Sequence, residues 1–467
     1  MVVKQLTPVL HRGLFSCERE YPSVMTQGGE MTEHNENGMN TPKWTDELRW
    51  AGIKRTYTPA DVMRLRGSLQ IEYTIARKGA ERLWKLLKTG PYVAALGAMT
   101  GDQAIEQVRA GLLAIYASGL QAAAEVNTAR EMYPDQSLCP LDCVPTLVRN
   151  INKSLQRADQ IHHAEGKGDV HWFAPVVADA AAGFGSKLSV FELMKAMIEA
   201  GAAAVHFEDA QPNPKTCGPL EERVLIPVHT FIEKLIAARL AADVMSVPTL
   251  LVACTNAETT RFSESDAAAC DREFITGDKT LEGYFTFRCG LEAATARALI
   301  YAPYADVLCY ETNTPDLKKA RRFAAAIHQR FPGKLLAYSC PPSFNWVKLL
   351  DATTVRNFHV ALSGMGYRLQ FVTLAGFHSL NFSMFDLARD YRETGMAAYA
   401  RLQENEFELA ESHGYEAIRH QRFAGSAYFN DVARTISEGA SSTSDQDATN
   451  KIETGTKHPD CLLGGIT

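Results

Sequence analysis

Eight short apolar runs, separated by stretches with a helical pattern, are the feature that most limits what this chain can fold into. Short strands that alternate with helices predict βα units and a parallel sheet. Eight such units are the number that closes an α/β protein into a (β/α)₈ TIM-type barrel. The predicted strands are 92–96, 115–118, 176–179, 205–208, 250–254, 307–311, 335–339 and 371–374.

The composition is that of a globular protein without an extended charged surface. Of 467 residues, 46% are apolar and 22% are charged, which leaves room for one large barrel with appendages. The net charge of −6 comes without a basic block, so neither nucleic acid nor a membrane surface is an expected partner. No apolar run approaches the roughly 18 residues of a membrane span, and the first residues lack a secretory signal pattern. We therefore predict a cytoplasmic protein.

The chain divides by composition into a central barrel and two polar ends. Residues 1–42 lack periodicity and residues 437–467 are rich in Ser, Thr and Asp, which predicts a flexible tail at each end. The barrel with extra N- and C-terminal helices is predicted over 43–436. A polar stretch at 255–287 follows the fifth predicted strand and is expected to form a small insertion.

Polar side chains end most of the predicted strands, and in a barrel such groups meet on one active face. They are Ser118, Asp179, Glu208, Cys254, Glu311 and Ser339, with Thr373 inside the eighth predicted strand. Carboxylates at such a face are hard ligands that suit Mg²⁺. Together with a thiol they permit retro-aldol cleavage of a 2-hydroxy acid, in which a base removes the hydroxyl proton and the thiol protonates the carbanion.

One cysteine stands out by its position among ten scattered ones. No CxxC pair is present, which predicts reduced core thiols rather than a disulfide framework or a zinc site. Cys217, however, lies beside Lys215 in a Gly/Pro-containing loop that follows the fourth predicted strand, where His206 and Glu208 are found. A thiol transfers protons well when nearby cations lower its pKa, so this loop is a candidate for catalysis.

Ordered strings along most of the chain resemble the isocitrate lyase family, part of the isocitrate lyase and phosphoenolpyruvate mutase superfamily. The resemblance extends from about Trp44 to about Gly439 and includes 133–138, 191–209, 237–243, 248–253, 333–338 and 343–346. It implies a small carboxylic acid substrate, Mg²⁺ as cofactor and a homotetramer in which C-terminal helices are exchanged. The insertion at 255–287 would belong to a small β-rich subdomain.

The resemblance also implies roles for individual residues. The metal ligands would be Asp135, Asp179 and Glu208, and the catalytic residues would be Cys217, Lys215 and His206, the last lying near the metal. Substrate-binding positions would be Ser118, Gly119, Gly218, Cys254, Glu311, Ser339, Ser343 and Thr373. The family's fourth metal-shell carboxylate is replaced here by Ala181.

Several active-face positions depart from the family pattern while the scaffold strings are kept. The family's Lys-Lys-Cys-Gly-His loop reads Lys-Thr-Cys-Gly-Pro at 215–219, and its Ser-Gly-Trp reads Ser-Gly-Leu at 118–120. Cys254 replaces an Arg that would clamp a substrate carboxylate, a role that a neutral thiol cannot take. The family's Asn-Cys-Ser-Pro-Ser reads Ser-Cys-Pro-Pro-Ser at 339–343.

Such clustered changes leave three hypotheses open. The first is a lyase that cleaves a 2-hydroxy acid other than isocitrate, since the predicted metal ligands and the thiol remain. The second is a catalytically inactive paralogue with a structural or regulatory role. The third is a binding module with residual affinity for metal and acid. A formed metal site would favour the first hypothesis, and a collapsed pocket the second.

Overall fold

The computed structural model describes residues 48–212 and 222–437, and eight parallel strands within them close a barrel. Each strand pairs with its neighbours in chain order, and the first pairs with the last. The predicted (β/α)₈ fold is therefore confirmed. The barrel strands are β1 Val93–Gly97, β2 Ala114–Ala117, β3 Val176–Asp179, β4 Ala204–Glu208, β5 Leu250–Thr255, β6 Val307–Glu311, β7 Leu335–Ser339 and β8 Tyr367–Val372.

Helices alternate with the barrel strands and extend beyond them at both ends of the barrel sequence. The longer helices are α1 Pro59–Leu65, α2 Thr74–Thr89, α3 Gly101–Arg109, α4 Cys143–Ala164, α5 Lys187–Ala200, α6 Val228–Val244, α7 Leu291–Tyr301, α8 Leu317–Arg330, α9 Ala352–Gly364, α10 Ala375–Thr394, α11 Met396–His413 and α12 Ser426–Ile436. Shorter helical turns are Leu48–Trp50, Gly119–Gln121, Ala122–Val126, Gln136–Leu138, Ala302–Tyr304, Trp346–Leu349 and His420–Phe423. Within the described ranges, no helix has the length and apolar character needed to cross a bilayer.

Local sequence explains where several helices begin and end. Ser186 accepts a hydrogen bond from the Leu188 backbone at the start of α5, and Asp316 accepts two at the start of α8. Such side-chain caps satisfy amide donors that a helix start leaves free. Gly201 ends α5 in the left-handed conformation with φ of 98°, which glycine adopts without strain. The cap sets where the chain turns back into β4.

Side chains of the strands divide into two apolar layers. Those facing the barrel interior are mostly small or aliphatic, and Phe371 stacks on Tyr116 with 4.5 Å between the ring centroids. Those facing outward pack against the surrounding helices in a larger cluster. Because both faces are buried, the strands are nearly continuous apolar runs, as parallel sheets require. Polar inward side chains are concentrated towards the carboxyl ends of the strands.

The eighth strand begins earlier than its sequence predicts. It spans Tyr367–Val372 rather than 371–374, so Thr373 lies in the turn after the strand rather than within it. The prediction was wrong there because Arg368 and Gln370 interrupt the apolar run. Gln370 is nevertheless fully buried and donates to the backbone carbonyls of Tyr367 and His359, both at 3.0 Å. A satisfied polar side chain costs little in a buried strand.

A second sheet lies beside the carboxyl end of the barrel. Its strands, in spatial order, are Ala210–Gln211, Val224–Leu225, Phe262–Ser263, Phe285–Phe287 and Ile275–Lys279. The last three come from the stretch 255–287 that follows β5, and the first two flank the loop that follows β4. Segments after two neighbouring barrel strands are thus tied into one sheet.

Buried charges connect this sheet to the barrel. Arg297 of α7 is fully buried, donates to both carboxylate oxygens of Asp271 at 2.9 Å, and donates to Asp209 at 2.8 Å. Asp209 also accepts from the Tyr301 hydroxyl at 2.9 Å and the Asn256 backbone at 2.9 Å. Burial without partners would be costly for each of these charges, so the network fixes the chain where it leaves β4 and β5.

The remaining domain predictions fall largely on residues without a described structure. The predicted tail at 1–42 lies outside the described residues, as does that at 437–467 beyond Ser437. Helices α10 and α11 are described, and large apolar side chains on them are exposed, among them Phe382, Met384, Phe385 and Met396. The homotetramer stays a prediction.

Candidate active site

Two carboxylates and an imidazole meet where β3 and β4 end. Asp179 and Glu208 are the last residues of these strands, and His206 is the register partner of Asp179. One ligand atom from each of the three lies within 4.8 Å of the other two. All three residues are buried. Burial raises the pKa of Glu208, and the negative charge of Asp179 raises it further. The structure thus brings two predicted metal ligands and one predicted catalytic residue together.

Backbone amides hold the two aspartates in place. The Gly119 amide donates to Asp179 Oδ2 at 3.1 Å, and the Ala181 amide donates to Asp179 Oδ1 at 2.9 Å. Asp135 accepts from the Ser137 amide at 2.8 Å at the start of a helical turn. Each carboxylate therefore has a fixed orientation while keeping lone pairs free for a cation.

Arg223 is a member of this site that the sequence analysis did not identify. Its guanidinium donates to Glu208 Oε2 at 2.5 Å and lies 3.9 Å from Asp135 Oδ2. It follows the undescribed loop 213–221, and no periodicity marks it in the sequence. The acidic cluster consequently already contains one cation supplied by the chain itself.

Glu311 ends β6, and its described hydrogen-bond partners are neutral groups. It accepts from Asn256 Nδ2 at 3.0 Å and from the Ser339 hydroxyl at 3.3 Å, and the Cys254 thiol lies 3.8 Å from its Oε2. Burial, with further contributions from Glu208 and Cys309, raises the pKa of Glu311 to about 8. Three predicted substrate-binding residues, Cys254, Glu311 and Ser339, are therefore in contact.

Two thiols and the imidazole form a deeper layer of the barrel interior. Cys254 and Cys309 are register partners on β5 and β6, and both lie close to His206. Burial raises the pKa of Cys309, but contacts with Cys254 and His206 outweigh it and lower that pKa to about 6. Burial lowers the pKa of His206, but the interaction with Cys309, followed by the charges of Glu208 and Asp179, raises that pKa to about 10. Both shifts favour a thiolate beside an imidazolium.

The other predicted residues are divided between the site and its surroundings. Ser118 is buried and accepts from the Gln121 amide at 3.4 Å, so it caps a helical turn. Ser343 is exposed in the turn after β7, and Thr373 follows β8; among the described hydrogen bonds, neither joins the carboxylates. Lys215, Cys217 and Gly218 lie outside the described residues.

Comparison with known proteins decides which family this barrel belongs to. The model described as "Isocitrate lyase family" matches residues 38–280 and 278–451. Isocitrate lyase of Halalkalibacterium halodurans is 58% identical over 400 residues, covering 86% of this chain and 93% of that protein. Isocitrate lyase of Escherichia coli K12 is 53% identical over 411 residues, covering 86% and 94%. The chain belongs to the isocitrate lyase family. The resemblance stated from sequence is confirmed.

A solved structure outside that close group supports the fold. A crystal structure of 2,3-dimethylmalate lyase, described as a member of the phosphoenolpyruvate mutase and isocitrate lyase superfamily, matches with a TM-score of 0.50 and 17% sequence identity. The match covers 79% of this chain and 97% of that one. At such identity the likeness concerns the barrel architecture.

This isocitrate lyase family member keeps its scaffold and alters the lining of its active face. Ala181 has a φ of 44° and carries no carboxylate, so its contribution beside Asp179 is its backbone. Cys254 is fully buried next to Glu311, where the family motif has Arg. Among the described residues, no Arg or Lys hydrogen bonds to Glu311, whereas Arg223 pairs with Glu208.

Gly119 is expected to tolerate no side chain. A Cβ built there would lie 1.9 Å from Gln136 Oε1, and Gln136 is buried, so it has little space to withdraw. We expect Gly119→Ala to lower the free energy of unfolding by about 1–3 kcal/mol through overpacking. Urea titration measures this. Gly67→Ala is the control, because nothing lies within 4 Å of its added Cβ; equal effects of the two changes would contradict the prediction.

Proposed function

We propose that this protein is a Mg²⁺-dependent carbon-carbon lyase that cleaves a 2-hydroxy carboxylic acid other than isocitrate in a retro-aldol-type reaction. The observation that carries the proposal is that no described Arg or Lys side chain hydrogen bonds to Glu311. Its described contacts are Cys254, Asn256 and Ser339, none of which carries the positive charge of the family's Arg. The proposed cytoplasmic location and homotetramer belong to the same hypothesis.

The carboxylate cluster fits the requirements of a hard cation. Asp179 and Glu208 offer oxygen atoms within 4.8 Å of each other. Asp135 belongs to the same cluster, because the Arg223 guanidinium lies 3.9 Å from Asp135 and 2.5 Å from Glu208. Asp135, Asp179 and Glu208 are the proposed ligands. When bound, Mg²⁺ would act as a Lewis acid towards the oxygen atoms of the substrate. The Gly119 and Ala181 amides keep Asp179 oriented for this purpose.

The remaining chemistry is assigned to the chain's own acids and bases. Cys217 is proposed to return a proton to the carbanion after cleavage, with Lys215 beside it in the same loop. His206 is proposed to hold a proton near the carboxylates, since its ring lies between them and the thiols. Proton transfer of this kind requires groups within hydrogen-bonding reach of the substrate.

The substrate is proposed to carry fewer carboxylates than isocitrate. A carboxylate placed against Glu311 would be desolvated beside another acidic group, at a cost of several kcal/mol, and no described Arg or Lys hydrogen bonds to Glu311 to offset that cost. Ser339 and Asn256 offer hydrogen bonds to a neutral group instead. Ser118, Gly119, Gly218, Ser343 and Thr373 remain proposed substrate contacts.

Direct assay of the full-length protein tests this function. We expect Mg²⁺-dependent release of an oxo acid from at least one member of a panel of 2-hydroxy acids that includes isocitrate and methylisocitrate. Asp179→Asn should abolish the release, whereas Arg389→Gln, which alters an exposed ion pair, should leave it unchanged. Efficient cleavage of isocitrate would refute the proposed specificity, and inactivity towards the whole panel would refute the proposed reaction.

The position of Arg223 favours a second candidate function. The Arg223 guanidinium already pairs with Glu208, so it neutralises a carboxylate that would otherwise bind the metal. The alternative is a catalytically inactive paralogue with a structural or regulatory role. It would have the fold of the family but no turnover with any acid in the panel, even with saturating Mg²⁺.

The affinity for Mg²⁺ provides a separate test of Arg223. At an effective dielectric constant near 20, a unit positive charge about 5 Å from a divalent ion costs several kcal/mol. We therefore expect Arg223→Gln to bind Mg²⁺, or Mn²⁺ as a spectroscopic probe, at least about tenfold more tightly than the wild type. Arg288→Gln removes the same charge from an exposed position after Phe285–Phe287 and serves as the control. Unchanged affinity in Arg223→Gln would show that Arg223 does not compete with the cation.

A further inference from the structure

Below the carboxylates, the described barrel interior brings two thiols and one imidazole together. Cys254 and Cys309 are register partners on neighbouring parallel strands, and His206 comes from β4 on the other side of β5. Their exposures are 0%, 1% and 2%, respectively, so water does not reach them freely. One donor atom of each lies within 4.8 Å of the other two. Sequence predicted roles for Cys254 and His206 but not for Cys309, and it did not place the three residues together.

One nitrogen of the imidazole makes no hydrogen bond of ordinary geometry, although the Cys309 thiol lies nearby. His206 Nδ1 is hydrogen bonded to the Tyr116 hydroxyl at 2.9 Å, while Nε2 is buried and has no hydrogen-bond partner among the described residues. A buried polar atom without a partner costs free energy and calls for an explanation. An outer hydrogen bond on one ring nitrogen is also how proteins prepare the other nitrogen to bind a metal.

We propose that Cys254, Cys309 and His206 form a binding site for a thiophilic divalent cation such as Zn²⁺. Two thiolates and one imidazole make a Cys₂His ligand set, which leaves a fourth position in tetrahedral geometry. Metal-ligand distances of about 2.1 and 2.3 Å put tetrahedral donors roughly 3.5–3.8 Å apart. Donor atoms within 4.8 Å of one another reach that spacing through small side-chain rotations.

The ligand chemistry separates this site from the proposed Mg²⁺ site. Sulfur ligands select soft or borderline cations, whereas carboxylates select hard ones. Glu311 Oε2 lies 3.8 Å from the Cys254 sulfur, so Glu311 is the described carboxylate that can fill the fourth position. The site shares Cys254 and His206 with the proposed lyase site, but cation binding can be measured without any substrate, so the proposal goes beyond the lyase hypothesis and is tested separately from turnover.

Co²⁺ binding to the reduced, full-length protein tests the site. Metal is first removed with a chelator, and excess Mg²⁺ is then kept present to occupy the carboxylates. We expect Co²⁺ to produce sulfur-to-cobalt charge-transfer absorption that saturates at about one equivalent per chain, and Zn²⁺ to abolish it by displacement. Cys254→Ser and Cys309→Ser should each weaken Co²⁺ binding by more than about tenfold and reduce the absorption.

Two further variants keep the test decisive. Cys340→Ser removes an equally buried thiol, 3% exposed, that is not part of the cluster, and should retain full absorption. His206→Gln keeps both thiols and should show the absorption with weaker affinity. The proposal is overturned if the reduced wild type shows no charge-transfer band, if the Cys254→Ser/Cys309→Ser double variant retains it, or if mass spectrometry finds these two cysteines joined as a disulfide.

Discussion

Isocitrate is expected to be cleaved at least about a thousandfold more slowly by the wild-type protein than by the isocitrate lyases it resembles. Loss of a buried cation that pairs with a substrate carboxylate costs about 4 kcal/mol, and each 1.4 kcal/mol is a factor of ten in rate. Cys254 removes that cation on the Glu311 side. Glyoxylate release with saturating Mg²⁺ measures the rate. Turnover comparable to that of the relatives would show that the thiol at this position is tolerated.

Restoring the family residues is expected to recover isocitrate cleavage only when they are restored together. Groups that act as one unit lose and regain activity together, so single changes should stay near the wild-type rate. The Cys254→Arg variant should fold, because Glu311 lies 3.8 Å from the thiol and can pair with the new guanidinium. The full set is Cys254→Arg, Pro219→His, Thr216→Lys, Ala181→Glu, Leu120→Trp, Ser339→Asn and Pro341→Ser.

The matched control carries the other six changes without Cys254→Arg. It should remain inactive, since the carboxylate clamp is still missing. Substantial activity from Cys254→Arg alone would mean that one missing cation explains the divergence. Inactivity of the complete set, in a protein that remains folded, would assign the decisive difference to positions other than these seven.

Arg297→Met is expected to lower the free energy of unfolding by about 3–5 kcal/mol, because it leaves Asp209 and Asp271 buried without their cation. Arg297 is fully buried and makes charged hydrogen bonds of 2.8–2.9 Å to both. Urea titration of purified protein at fixed concentration measures the change.

The control for this change is a charge pair on the surface of the same part of the fold. Arg322 pairs with Glu292 at 2.6 Å, but the two side chains are 66% and 63% exposed. Arg322→Met should therefore cost less than about 1 kcal/mol. A similar effect of both substitutions would mean that the buried network does not stabilise the junction between the small sheet and the barrel.

The sequence alone predicts the fold and most of the acidic residues of the candidate site. A buried parallel strand needs a nearly continuous apolar run, and this requirement located seven of the eight strands to within one residue at each end. Asp179, Glu208 and Glu311 end such runs, so their convergence follows from closure of the barrel. Cys309 could have been found in the same way, since it lies two residues before Glu311 and therefore faces the same side of β6.

Contacts between distant segments were beyond the sequence. Nothing local shows that Arg223 pairs with Glu208, because the pair forms only when the loop after β4 returns to the barrel. The start of β8 was missed because Gln370 is polar, and its burial depends on carbonyl partners that only the folded chain supplies. Asp209 directly follows Glu208 in the sequence, yet its partners Arg297 and Tyr301 come from α7. In each case tertiary hydrogen bonding decides the role.

The two consecutive acids where β4 ends have different roles, and this limits which mutations the strand tolerates. Glu208 contributes to the reactive interior, whereas Asp209 is fully enclosed in the network that anchors the small sheet. Successive side chains of a strand face opposite sides. Inserting or deleting one residue in β4 would therefore turn Glu208 away from the reactive interior and Asp209 away from the buried network, and both roles would be lost. Substitution on the inner side alone leaves the anchor intact. New chemistry can therefore arise in this barrel through substitution of single inward-facing side chains, but not through a change in the length of β4.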